Sequence, residues 1–181
     1  MINVLYLDDE EHNLTSFRAA FRRYFKVFVT TEPSEAVKFL EDNPIEVVIS
    51  DQKMPTLSGV EFFELIMPDH PNPVRMLLTG HADIDAVIDA INKGHIYKYI
   101  SKPWNEAELR RLVEEASQLY QMRTAQETQV TEYSERLYSA EAELKSMLVE
   151  FNSSSELSSE TKTRYIDKIT HILGLMEVPL D

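Results

Sequence analysis

Five short apolar runs, each closing on polar or charged residues and each followed by a helix-forming stretch, limit what this chain can fold into. The central run, Ile45-Glu46-Val47-Val48-Ile49-Ser50-Asp51, is rich in β-branched residues and too short for a buried helix. A strand of that kind is covered on both faces, which places it in a parallel sheet. Ahead of it stand Ile2-Asn3-Val4-Leu5-Tyr6-Leu7, closed by Asp8-Asp9-Glu10, and Lys26-Val27-Phe28-Val29-Thr30. Behind it stand Val74 to Thr79, followed by Gly80, and Ile96 to Ser101, followed by Lys102-Pro103-Trp104.

The stretches between the runs carry helical periodicity. Leu14, Phe17, Phe21 and Tyr24, with Arg18, Arg22 and Arg23 between them, predict an amphipathic helix. Pro33 opens a second helix with Ala36, Val37 and Leu40, which Asn43-Pro44 stops. A third carries Val60, Phe63 and Ile66 and ends at Pro68. Asp83 caps a fourth with Ile84, Val87, Ile88 and Ile91 on one face, stopped by Gly94. Asn105, with Glu108 three residues on, starts the last. Strands alternating with helices in this way predict an α/β fold, a doubly wound five-stranded parallel sheet occupying residues 1–118.

In such a sheet the carboxyl ends of the strands share one edge, so Asp8, Asp9, Asp51, Thr79 and Lys102 converge although they are far apart in sequence. An aspartate at a strand end is by itself an ordinary turn former or helix cap. Adjacent carboxylates, however, resist ionising together unless a cation is present. Mg²⁺, which takes oxygen ligands and keeps some of its waters, suits the set better than Ca²⁺, because the carboxylates are few and one partner is a lysine. A carboxylate beside Mg²⁺ can attack a phosphoryl group and become an aspartyl phosphate. Metal and lysine then offset the charge on the phosphoryl oxygens, and the Thr79 hydroxyl can donate to one of them.

These residues resemble the receiver domain of two-component response regulators, the CheY-like superfamily. The acidic pair Asp8-Asp9, the loop from Asp51 through Met54-Pro55 to Ser58-Gly59, Thr79-Gly80 and Lys102-Pro103 match in order and spacing. Leu78 to Ala82, Ala90 to Gly94 and Ile100 to Trp104 look most like the branch whose receivers precede HD-GYP or phosphatase-like outputs. The resemblance implies a flavodoxin-like strand order of 2-1-3-4-5. It also implies a histidine kinase or phosphotransfer protein that phosphorylates Asp51, and Mg²⁺ held by Asp8, Asp9, Asp51 and the backbone carbonyl of Lys53. Lys102 would contact the phosphoryl group, and Thr79 and Tyr99 would match the two positions that rearrange on phosphorylation. Lys53 and His81 match positions that tune dephosphorylation. The implied role is regulation, with self-phosphorylation and self-dephosphorylation as the only chemistry.

Composition narrows the surroundings. A formal net charge of −13, with acids spread along the chain, argues against a nucleic-acid surface, which needs clustered Lys and Arg. The chain has no cysteine, no apolar run long enough to span a bilayer and no signal-peptide pattern at its start, and is read as cytoplasmic.

The tail has a different pattern. Leu109, Leu112, Ala116 and Leu119, then Val130, Tyr133, Leu137, Ala140, Leu144, Met147 and Phe151, fall on one heptad frame, with no glycine or proline from 104 to 173. This predicts a coiled coil over 119–152, continuous with the last receiver helix and pairing as a parallel homodimer that passes the signal to an output domain or partner. Arg123 and Gln126 interrupt the seam. Over 153–181 a serine-rich break precedes a short amphipathic helix with Ile166, Ile169, Leu173 and Met176, read as continuing the bundle, folding back, or beginning an output domain. Two rival functions are a phosphorylation-independent dimeric scaffold and an aspartate-nucleophile phosphatase of the haloacid-dehalogenase type. The phosphatase requires a second aspartate where Lys53 stands, and lysine is a poor general acid near neutral pH.

Overall fold

The computed structural model describes residues 1–80, 96–153 and 158–176. The helix expected from Asp83 to Gly94, His81, and Ser154-Ser155 lie outside them. The described chain divides into two units, Met1–Thr124 and Ala125–Asp181.

In the first unit the order is β1 (Ile2–Leu7), α1 (Glu11–Phe21), β2 (Phe25–Thr30), α2 (Pro33–Asp42), β3 (Val47–Asp51), α3 (Gly59–Ile66), β4 (Val74–Thr79), β5 (Lys98–Ser101) and the long helix α4 (Glu106–Ser153), which continues into the second unit. A further helix, α5 (Ser159–Met176), follows. The five strands form one parallel sheet in the order β2-β1-β3-β4-β5, as expected. Every residue of β3 and β4 is buried, as both-face coverage demands.

The alternation of side chains across the pleat divides the core in two. Val4, Tyr6, Ile49, Met76 and Leu78 pack with Leu14, Phe17 and Phe21 of α1 and with Leu109, Leu112, Val113 and Ala116 of α4. Leu5, Leu7, Val48 and Leu77 pack on the opposite face with Leu40 of α2 and with Phe62, Phe63 and Ile66 of α3. Leu109, Leu112 and Ala116, which share the heptad frame but precede the coiled coil expected over 119–152, thus pack on the sheet of their own chain. Farther along, in the second unit, Val130, Tyr133, Leu137 and Met147 are exposed.

Several boundaries differ from those expected. The first helix stops at Phe21 rather than reaching Tyr24, whose N–H donates to the Phe21 carbonyl in a turn. The Tyr24 ring instead lies under the Arg110 guanidinium, 4.3 Å from its centroid, which links the α1–β2 turn to α4. The third strand begins at Val47 and the fifth at Lys98, each two residues later than the apolar runs. At the amino-terminal edge of the sheet, Glu46 accepts hydrogen bonds from the Asn3 N–H at 3.1 Å and from the buried Ser117 hydroxyl of α4 at 2.6 Å. The start of α4 is capped by Asn105, whose Oδ1 accepts the Glu108 N–H at 3.0 Å.

The loop after Asp51 is fixed from both sides. The Gln52 N–H donates to the Leu78 carbonyl at 2.9 Å, and the Gln52 carbonyl accepts the Gly59 N–H at 3.2 Å. A capping box between Ser58 and Glu61 then starts α3. Gly59 packs so closely that a Cβ there would collide with the Asp51 carbonyl oxygen and with the Leu77 side chain. Gly59→Ala is therefore expected to cost about 1–3 kcal/mol in urea unfolding, with the backbone at Asp51 displaced.

Candidate functional site

The strand ends meet as the parallel topology requires. Asp8 follows β1, Asp51 closes β3, Thr79 closes β4 and Lys102 follows β5. The Lys102 N–H donates to the Thr79 carbonyl at 2.9 Å, extending the β4–β5 ladder by one residue. From there the Lys102 ammonium reaches back across the edge, donating to Asp8 Oδ2 at 2.9 Å and pairing with Asp51 Oδ1.

Asp8 is wholly buried, and all its oxygens are engaged. Oδ2 accepts from Lys102 and from the Tyr6 hydroxyl; Oδ1 accepts from the Glu10 N–H at 3.0 Å and from Asn13 Nδ2 at 2.9 Å. Asp51 is 7% exposed, and its Oδ2 accepts the Lys53 N–H at 2.6 Å. Asp9 is exposed and lines an open cleft of about 300 Å³ with Thr31, Pro33, Met54 and Leu57. Among the described residues no three Asp, Glu, His or Cys side chains stand close enough to hold a metal ion by themselves. Mg²⁺ asks less, being held through one or two carboxylates while it keeps several waters. The oxygen donors of Asp8 and Asp51 fit such a cation, and the ammonium between them shows that the edge already accommodates positive charge.

Thr79 is buried, and its hydroxyl donates to the adjacent Gly80 carbonyl at 2.8 Å. Tyr99 is 45% exposed and Tyr97 41%, so neither is core packing. The Lys53 side chain is exposed. Sequence reasoning missed Tyr6, Asn13 and Gln52. Tyr6 stands two residues before Asp8 on the same strand face, a signal the period-two pattern contained. Asn13 and Gln52 left no comparable mark, since their roles depend on how the chain turns after β1 and β3.

The two carboxylates titrate in opposite directions. Burial acts to raise Asp8, but hydrogen bonds from Tyr6, Asn13, Lys102 and the Glu10 N–H outweigh it and hold Asp8 below the usual carboxylate value. Burial dominates at Asp51 and raises it, against the opposing pull of Lys102 and the Lys53 N–H. Burial would lower Lys102, yet its bonds to Asp51 and Asp8 raise it. The edge therefore carries a firmly ionised carboxylate, a less stabilised one and a cation paired with both, a combination chemically able to support phosphoryl transfer to an aspartate.

Comparison with known proteins places this arrangement. Residues 4–114 match the response regulator receiver domain family. The chain belongs to that family. Receiver domains are the regulatory phosphoacceptor modules of two-component response regulators, and they work with histidine kinases and output domains. Over 125 residues this receiver is 35% identical to the hydrogenase transcriptional regulatory protein HoxA of Bradyrhizobium diazoefficiens, covering 69% of the present chain and 26% of HoxA. The chain thus spans about a quarter of that relative's length. Among solved structures, a response regulator receiver domain protein from Clostridium thermocellum is 30% identical with a TM-score of 0.63, covering 67% of this chain and 98% of that one. The signal receiver domain of an HD domain-containing protein from Pseudomonas fluorescens is 26% identical with a TM-score of 0.64, covering 68% and 92%.

The lowered Asp8 contributes stability that is present above the ordinary carboxylate value and is lost as pH falls through its folded value. Asp8→Ala leaves the buried Tyr6 hydroxyl without its acceptor and is expected to cost about 1–3 kcal/mol at neutral pH. Because the ionised group is gone, the acid-side loss of stability should also be shallower than in wild type when urea midpoints are followed downward in pH.

Proposed function

We propose that Asp51 is the phosphoacceptor of this receiver. An Asp51 carboxylate oxygen attacks the phosphorus of a phosphohistidine on a histidine kinase or phosphotransfer protein; the P–N bond breaks, its electron pair goes to the imidazole nitrogen, and an acyl phosphate remains on Asp51. The observation that carries this reading is the Lys102 ammonium held between Asp8 and Asp51, where it can follow the charge as it moves onto the phosphoryl oxygens. Asp8, Asp9, Asp51 and the Lys53 backbone carbonyl are the proposed holders of Mg²⁺, which when bound draws charge from those oxygens. Asp8 supplies a committed negative ligand, and the Lys53 N–H fixes the rotation of the Asp51 carboxylate.

Thr79 and Tyr99 are the proposed switch. The Thr79 hydroxyl gives up the Gly80 carbonyl and donates to the phosphoryl group, and the half-exposed Tyr99 ring turns inward. Two pre-existing conformations are then biased rather than a substrate turned over. The apolar positions Val130, Tyr133, Leu137, Ala140, Leu144 and Met147 of α4 recur at steps of three and four, which supports a parallel coiled coil with a second copy of this chain. Through it the signal reaches an output domain or partner protein.

Incubation with a small phosphodonor and Mg²⁺ should add one phosphoryl group to the intact mass of wild type and none to Asp51→Asn. An equal gain in Asp51→Asn would place the acceptor elsewhere, and sustained phosphate release would mark a phosphatase. In sedimentation experiments wild type should run as a dimer, and Leu137→Glu should weaken association at least tenfold, in keeping with a charge replacing an apolar seam residue.

A further inference from the structure

Tyr6 bears a polar group at this edge for which the chemistry above has no use. Its ring is wholly buried, with the Phe17 centroid 4.5 Å away, and is held in the core between β1 and α1. Its hydroxyl donates to Asp8 Oδ2. A carboxylate offers about four acceptor positions, and those of Asp8 are filled by Tyr6, Lys102, Asn13 and the Glu10 N–H. A cation drawing on Asp8 must therefore displace one of these donors.

The four are not equally able to leave. Lys102 has a flexible stem, is partly exposed at 28% and is repelled by an arriving cation. Asn13 already holds a second acceptor, Glu10 Oε2, at 2.8 Å. Tyr6 has neither option: its rigid ring is fixed in the core, and a hydroxyl pulled off Asp8 would be buried without a partner. We infer that Tyr6 is a positioning residue for the divalent cation. Its hydroxyl holds the Asp8 carboxylate in one orientation while Lys102 withdraws and Mg²⁺ takes its place. The inference rests on the Mg²⁺ reading above and adds to it an outer hydrogen bond of the kind that fixes metal-binding carboxylates.

The test is calorimetric titration of the full chain with MgCl₂, comparing wild type, Tyr6→Phe and Phe17→Leu. Tyr6→Phe removes only the hydroxyl, and its Mg²⁺ Kd should rise about tenfold or more. Phe17→Leu loosens the packing of the same ring and should leave the Kd within about twofold of wild type, because the Asp8 hydrogen bonds stay intact. Saturating Mg²⁺ should restore the phosphorylation rate of Tyr6→Phe with a small phosphodonor, since the defect lies in holding the ion. An unchanged Kd in Tyr6→Phe, or an equal rise in Phe17→Leu, overturns the inference while leaving the metal site standing. A wild-type protein that binds no Mg²⁺ overturns the metal reading, and this inference with it.

Discussion

The structure of this edge depends on one ammonium group set between two buried carboxylates. Neither Asp8 nor Asp51 could be taken out of water at such low cost without Lys102, because an uncompensated charge in a poorly solvated site is expensive. Lys102 in turn is 94 residues from Asp8 in sequence, so only the parallel order of β1, β3, β4 and β5 can deliver it. The ladder bond from the Lys102 N–H to Thr79 is the last step of that delivery. The division between the carboxylates has a chemical sense. Asp8 is surrounded by donors and committed to its charge, whereas Asp51 has fewer and is left at higher energy, as suits the group that is to form a bond.

A second polar anchor works at the opposite edge. Glu46 joins the start of β1 to Ser117, and the Arg110 guanidinium over Tyr24 adds a contact nearer the start of α4. With Leu109, Leu112, Val113 and Ala116 in the core, the receiver end of α4 is held by apolar, cation–π and hydrogen-bonding contacts together. The helix is therefore an integral layer of the domain before it becomes anything else.

Strands and site residues were legible in the sequence for a common reason. Parallel strands are short, apolar and end on one edge, so the residues that close them can be grouped without knowing a single distance. The pattern was less decisive where local periodicity had two meanings. Leu109, Leu112 and Ala116 satisfy a heptad as well as they satisfy the 3.6-residue repeat of a helix lying on a sheet, and over so few turns the two do not separate. Tyr24 continued the spacing of α1, but the chain turns at Phe21 and gives the ring to α4. Ile45 and Ile96 open their apolar runs ahead of the paired registers, which begin at Val47 and Lys98, and Glu46 and Tyr97 make a single backbone bond to each neighbouring strand on the way in, so β3 and β5 start late. Tyr6 was counted as strand filling because its ring belongs in the core; the hydroxyl at the end of that ring is what the alternation of β1 directs at Asp8.

Trp104, the chain's one tryptophan, stands two residues from Lys102, with the rings of Phe17 and Phe21 at 6.1 and 5.4 Å. Both of those rings belong to the cluster that also contains Tyr6. The indole is therefore an intrinsic optical reporter placed beside the working edge. Its emission spectrum reads the packing between α1 and the chain that follows β5, with no dye attached and no second tryptophan to dilute it.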